Sequence, residues 1–190
     1  MNVIILSSSP NTDGLTAACA AAVSQGLSDA GADAREVRLT DTDVGRCLQC
    51  GDGWGTCRPE HRCQVEDGFQ ALHQTLLGAG AMALVTPVYW GEMSESMKAF
   101  TDRLRRCEAT RPEGQRPLSG RWLLGVAAAG GSGGGTITCL GQMERLCAHI
   151  GLRRFDLIGV TRWTRVHPLE VIRAAAREMG RAVDTASARA

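Results

Sequence analysis

The sequence predicts a doubly wound α/β domain: five parallel strands with helices on both faces of the sheet. Three observations lead there. Short apolar runs alternate five times with segments whose apolar residues recur at helical spacing. Most of these runs are continuously apolar, as strands covered on both faces are. Strand-helix-strand crossovers of this kind take one hand, which fixes the winding.

The first strand is Val3 to Leu6 (V-I-I-L), and from Leu15 the residues Leu15, Ala18, Cys19, Ala22 and Leu27 make the inner stripe of a helix. Asp33 to Leu39 alternates polar and apolar residues, so the second strand is half exposed and belongs near an edge. From Thr40 to Gln64 no period is visible, an unusually long excursion for a compact domain. Asp67 with Gln70 resembles a capping box for a helix that turns Phe69, Leu72, Leu76 and Leu77 inward and ends near Gly78 and Gly80. Met82 to Thr86 is the third strand, stopped by Pro87, and Ser94 caps a helix with Met97, Phe100, Leu104 and Cys107 inward. After the polar loop from Arg111 to Pro117, Trp122 to Ala128 is the fourth strand. A helix from Thr136 to about Ile150 shows Ile137, Leu140, Met143, Cys147 and Ile150 on one face, and Phe155 to Val160 is the fifth strand. Pro168 suits the first turn of a last helix with Leu169, Ile172, Ala176, Met179 and Val183 inward. Residues 184–190 are expected to fray.

Residues 1–190 read as one domain with a cysteine-rich insertion at about 46–64. A formal net charge of +1 gives no electrostatic footprint for nucleic acid or an anionic membrane. Val3 to Leu6 is too short for a signal-peptide core, and no run approaches the ~20 apolar residues of a membrane helix. The expectation is a soluble, cytoplasmic protein. Eight cysteines in that setting point to metal or redox chemistry rather than disulfides. Of these, Cys19, Cys107, Cys139 and Cys147 fall on or beside helix faces and read as small core residues.

Three loops follow strands on the carboxyl side, where ligands bind in such sheets. Ser7 to Thr16 brings hydroxyls at Ser7, Ser8, Ser9, Thr12 and Thr16 to a helix N-terminus, without Lys or Arg. It carries neither G-x-G-x-x-G nor Gly-Lys-Ser/Thr, so it suits a terminal phosphate held by neutral donors; the alternative is that the hydroxyls only cap the helix. In the second loop Pro87 frees backbone groups to read the edge of a flat ring, while Tyr89 and Trp90 offer stacking surfaces. The alternative there is an aromatic pair plugging the core. The third loop, Gly130 to Gly135, admits backbone close to a planar ligand.

These loops resemble the NADPH-dependent FMN reductase branch of the flavodoxin-like superfamily, close to the iron-sulfur flavoproteins, and the resemblance implies the flavodoxin-like strand order 2-1-3-4-5. Ser8-Ser9-Pro10-Asn11-Thr12-Asp13-Gly14-Leu15-Thr16 is similar to the family's G-S-P-R-x-x-G-N-T phosphate loop, with Ser8, Asn11 and Leu15 in place of its glycine, arginine and asparagine. Pro87-Val88-Tyr89-Trp90-Gly91 with Ser94, Ser96, Met97, Lys98, Phe100, Asp102 and Arg103 is similar to P-V-Y-x-G followed by S-x-x-M-K-x-F-x-D-R. The resemblance implies FMN held by Ser7, Ser9, Asn11, Gly14, Leu15 and Thr16, by Pro87, Val88, Tyr89, Trp90 and Gly91, and by Gly130, Gly131, Ser132 and Gly133. It also implies a homodimer or homotetramer, an assembly that Trp54 and Trp90 in loops favour independently.

Cys47, Cys50, Cys57 and Cys63 are spaced C-x2-C-x6-C-x5-C, and four thiolates this close can complete a cluster or a tetrahedral zinc site. The corresponding segment of iron-sulfur flavoproteins is more compact and binds a 4Fe-4S cluster; here Gly51 to Thr56 lengthens the middle. A cluster, zinc and no metal are the three alternatives; His61 in the same segment reads first as an exposed loop histidine and only second as a substitute ligand. The leading expectation is an FMN-dependent oxidoreductase taking hydride from NAD(P)H and passing electrons to a flavin, quinone or other small acceptor, with no catalytic side chain required. Its alternatives are an iron-sulfur flavoprotein that only transfers electrons, and a metal-stabilised binding module without flavin.

Overall fold

A computed structural model describes residues 2–112 and 114–187, with side chains described to residue 183. The elements are β1 (Val3–Ser7), α1 (Leu15–Asp29), β2 (Ala34–Arg38), a single turn α2 (Cys50–Gly53), α3 (Phe69–Gly78), β3 (Ala81–Tyr89), β4 (Glu92–Met93), α4 (Glu95–Glu108), β5 (Trp122–Ala129), α5 (Thr136–Ile150), β6 (Arg153–Thr161) and α6 (Val166–Ser187). Parallel pairing runs β2-β1-β3-β5-β6, the expected order of the five long strands, and a short sixth strand, β4, pairs antiparallel with β3. The half-polar β2 lies at the edge, as its alternation predicts.

The unbroken V-I-I-L of β1 is explained by two cores. Ile4 and Leu6 point into one with α3, α4 and α5, around Phe69, Met97, Phe100 and Met143. Val3 and Ile5 point into the other with α1 and α6, around Val23, Leu27, Ile172 and Met179. A strand that feeds both layers has no polar position to spare. The α1–α6 contact is so close that a Cβ on Gly26 would stand 2.2 Å from the Arg173 carbonyl oxygen, so only glycine fits there. Cys19, Cys107, Cys139 and Cys147 are buried as expected, and burial pushes their thiols up, to about 12 for Cys19 and Cys107 and about 11 for the others.

Several local expectations need correction. Pro87 does not stop the third strand: β3 pairs with β5 as far as Pro87 and Ala128, then turns its last residues to β4, so Val88 faces Met93 and Tyr89 faces Glu92. The buried face of α1 is Thr16, Cys19, Ala20, Val23, Gly26 and Leu27, because this helix packs on α6 as well as on the sheet; Leu15, Ala18 and Ala22 are only partly covered. Ile137 is exposed, since the first turn of α5 docks through its neighbours Thr136, against Gly159, and Thr138, against Gly91. α6 extends to Ser187, and the rest of the expected frayed end lies outside the described residues.

Candidate functional site

The first loop leaves the carboxyl end of β1 and ends at Gly14, which precedes α1 without any side-chain cap. The loop hydroxyls therefore do not serve as the helix cap, and the first-turn N–H groups are left for another acceptor. Ser7, Ser9, Asn11, Thr12 and Thr16 line a cavity of about 260 Å3 beside that terminus. The Asn11 backbone N–H donates to Ser9 Oγ at 3.2 Å, which curls the loop. Two residues that sequence reasoning missed complete the cavity. Glu36 on β2 accepts from Ser7 Oγ at 2.8 Å, and Arg38 donates to the carbonyls of Ser9 and Pro10 at 3.4 and 3.3 Å. The loop itself has no cation, but the parallel pairing of β1 with β2 brings one to it.

A buried hydroxyl cluster locks the first loop to the second. Thr86 Oγ1 accepts from Ser8 Oγ at 2.9 Å and from the Ser94 backbone N–H at 3.0 Å, and Ser94 Oγ donates to Ser8 Oγ at 2.8 Å. Ser94 also caps α4 by accepting from the Met97 N–H, as its sequence position predicts. The second loop is the tight turn of the β3–β4 hairpin, with positive φ at Trp90 (52°) and Gly91 (80°), the combination two-residue hairpins favour. This geometry turns Trp90 fully into solvent and leaves Tyr89 46% exposed, so neither plugs the core. Val88, Tyr89, Trp90, Glu92, Met93, Glu95 and Lys98 form an open shelf of about 650 Å3.

The third loop touches the second. Thr138 Oγ1 donates to the Gly91 carbonyl at 2.6 Å, and a Cβ on Gly135 would stand 2.5 Å from Gly91 Cα. Gly130 and Gly131 have open space where a side chain would project, and Ser132 Oγ accepts from the Gly134 N–H. A Cβ on Gly133 would stand 2.7 Å from the ring of Trp163, a half-exposed aromatic that the sequence did not flag. All three loops thus meet at the carboxyl ends of β1, β3 and β5, although the first cavity and the shelf are separate concavities.

Cys47, Cys50, Cys57 and Cys63 line one cavity, which also receives Arg103, Arg106 and the core residue Cys107. The segment is shaped by left-handed backbone at Gln49 and Gly51 and by Thr56, whose N–H and hydroxyl reach Gln64 Oε1 and the Arg62 carbonyl. Trp54 is not the exposed loop residue expected, because Arg106 stacks 4.1 Å from its ring centroid. His61 bonds Thr110 at 3.1 Å and does not line the cavity. Among the described residues, no group of three or more His, Cys, Asp or Glu side chains is arranged so that it could hold a metal ion. Four thiols around one cavity are the donor type of a thiolate-bound metal group, and the cavity wall offers N–H donors to it. Arg103 Nη2 donates to Cys63 Sγ at 3.3 Å, and the buried Nε of both Arg103 and Arg106 has no partner.

Behind this cavity two carboxylates are held ionised. Burial pushes Asp67 up, but the Arg103 guanidinium and the N–H groups of Gly45 and Phe69 outweigh it and hold it below the usual range. Burial likewise pushes Glu108 up, and hydrogen bonds and charge from His73 and Arg111 bring it below the usual range. The Asp67–Gln70 cap forms as the sequence predicts, with the same Asp67 doubling as the partner of Arg103.

Comparison with known proteins agrees with this layout. An iron-sulfur flavoprotein of Methanocaldococcus jannaschii is 27% identical over 105 residues, 55% of this chain and 52% of that protein, so the chain spans about half the length of this relative. Among solved structures, an archaeal flavodoxin superposes with a TM-score of 0.64 at 15% identity, covering 97% of this chain and 99% of the other. An NAD(P)H:quinone oxidoreductase from Methanothermobacter marburgensis gives a TM-score of 0.71 at 16% identity, covering 94% and 96%. These likenesses establish a flavodoxin-like fold. Residues 1–152 match the family described as NADPH-dependent FMN reductase, and the chain belongs to that family.

Proposed function

We propose that the chain is an FMN-dependent oxidoreductase that takes hydride from NAD(P)H and passes electrons to a flavin, quinone or other small acceptor. The observation that carries this reading is the uncapped N-terminus of α1, ringed by Ser7, Ser9, Thr12 and Thr16 and tied through Ser8, Thr86 and Ser94 to the aromatic hairpin. The hydroxyls and first-turn N–H groups at Gly14, Leu15 and Thr16 hold the phosphate, with Asn11 at the rim and Arg38 as a nearby cation. Backbone of Pro87 to Gly91 and of Gly130 to Gly133 frames the ring, and Tyr89 and Trp90 orient a planar partner against it. FMN, when bound, supplies the hydride-accepting centre, so no side chain is assigned a proton-transfer role.

Cys47, Cys50, Cys57 and Cys63 hold a 4Fe-4S cluster in this proposal. The two partnerless arginine Nε groups in its wall, donors suited to an anionic group, favour it over zinc. The same cavity favours the second reading, an iron-sulfur flavoprotein that only relays electrons. Free thiols at all eight cysteines suit a reducing cytoplasm. No helix among the described residues is long and apolar enough to cross a membrane. Trp90, Ile137 and Trp163 expose apolar surface around the same rim, which we assign to a homodimer or homotetramer contact, tested by light scattering.

Anaerobic purification with an absorbance spectrum and iron, sulfide and zinc analysis tests the whole reading. It predicts FMN released on denaturation and about four irons per chain. Colourless protein would overturn it, and flavin with zinc but no iron would overturn the cluster assignment.

A further inference from the structure

Arg103 is the largest fully buried side chain among the described residues, at 1% exposure. A buried guanidinium needs compensation; it lies 4.3 Å from the centroid of the buried Phe69 ring, and its hydrogen-bond partners all belong to the cysteine segment and its flanks. Nη1 donates to the Gly45 carbonyl at 2.9 Å and to Asp67 at 2.6 Å; Nη2 donates to Asp67 at 2.9 Å, to the Val65 carbonyl at 3.2 Å and to Cys63 Sγ at 3.3 Å. Gly45 precedes the first cysteine and Val65 follows the last, so one side chain braces both ends of the segment. Arg106, one turn further along α4, donates to the Gly53 carbonyl and stacks on Trp54. Asp67 neutralises one of these two charges, and among the described residues no carboxylate forms an ion pair with Arg106. Among the described residues the cysteine cavity therefore has a wall with one positive charge that no carboxylate pairs and two partnerless Nε groups.

We propose that Arg103 and Arg106 are positioning residues that raise the reduction potential of the cluster held by Cys47, Cys50, Cys57 and Cys63, so that reduced flavin can supply its electron. This rests on the cluster reading above. Reduction adds one electron to the cluster and leaves its bonds intact, and the flavin reduced by NAD(P)H is the electron source. The reduced cluster is more negative by one charge, so a neighbouring cation and an N–H donor to a ligand sulfur stabilise it more than the oxidised form. The same helix begins at Ser94, inside the hydroxyl lock of the flavin loops, and Arg103 lies nine residues on, about 14 Å along the axis. α4 thus ties the geometry of the two centres together.

The test is an EPR-monitored redox titration of the anaerobically loaded protein, wild type against Arg103→Gln, Arg103→Lys and Arg106→Gln, with iron and sulfide measured on each sample. Arg106→Gln and Arg103→Gln should each lower the cluster midpoint by at least tenfold in the one-electron equilibrium, which is 59 mV. Arg103→Lys keeps the charge but loses the fork, and should fall by less. If Arg103→Gln fails to fold or to hold iron because the brace is gone, Arg106→Gln and Arg103→Lys decide the matter. Midpoints of the iron-replete variants indistinguishable from wild type would overturn the proposal and leave the cluster reading standing. A wild type that binds no iron and sulfide would overturn both.

Discussion

Thr86→Val removes one hydroxyl and leaves the side chain's shape nearly unchanged. In the wild type that oxygen accepts from Ser8 Oγ and from the Ser94 N–H, both wholly buried, and donates toward the Pro87 carbonyl at 3.0 Å. Ser8 and Ser94 can still bond each other, but among the described residues the Ser94 N–H has no acceptor besides Thr86 Oγ1. A buried donor left unsatisfied costs about 1–3 kcal/mol, and losing a second hydrogen bond adds about 1 kcal/mol. The expected loss of stability is therefore about 2 to 4 kcal/mol, read as a lower urea midpoint at unchanged slope. The lock also registers the phosphate loop against the hairpin, so the FMN dissociation constant should rise at least tenfold, about 1.4 kcal/mol. Fluorescence titration of apoprotein with FMN, below the unfolding transition, measures it. Lost stability with unchanged FMN affinity would refute the idea that this cluster sets the distance between the loops.

Replacing Ser9 and Thr16 together by glutamate places negative charge where the phosphate sits, and flavin should wash out on desalting; undiminished retention would remove the first loop from the site. Acid should unfold the protein through Asp67 and Glu108, whose folded pKa values lie below their unfolded ones of about 3.9 and 4.3. Their contribution is complete above those values and is lost as pH falls through them, so a urea midpoint flat from pH 6 to about 3 would contradict the assignment. Single alanine replacements of Cys47, Cys50, Cys57 and Cys63 should each deplete iron alike, and a Cys57→Ala protein that keeps its iron while Cys47→Ala loses it would exclude a four-cysteine site.

What could be read in the sequence depended on how local its cause is. Strand β1 announces itself because both of its faces are buried, and the Asp67 and Ser94 caps are visible because they act within three residues. Pro87 misled because a strand that changes partners, from β5 to β4, tolerates a proline that a regular central strand does not. Glu36, Arg38, Thr138 and Trp163 reach the site only through strand pairing and helix docking, so no motif contains them. Arg103 did lie in a recognisable motif, but its role at the cysteine cavity depends on a segment that precedes it by about forty residues.

The central claim is that the three loops present a flavin to a nicotinamide donor, and anaerobic stopped-flow mixing of the FMN-loaded protein with NADPH or NADH tests it most directly. The visible flavin band should bleach within the turnover time and return when a quinone is added. A band that stays oxidised with either nucleotide, yet bleaches with dithionite, would contradict the oxidoreductase reading and leave an electron carrier in its place.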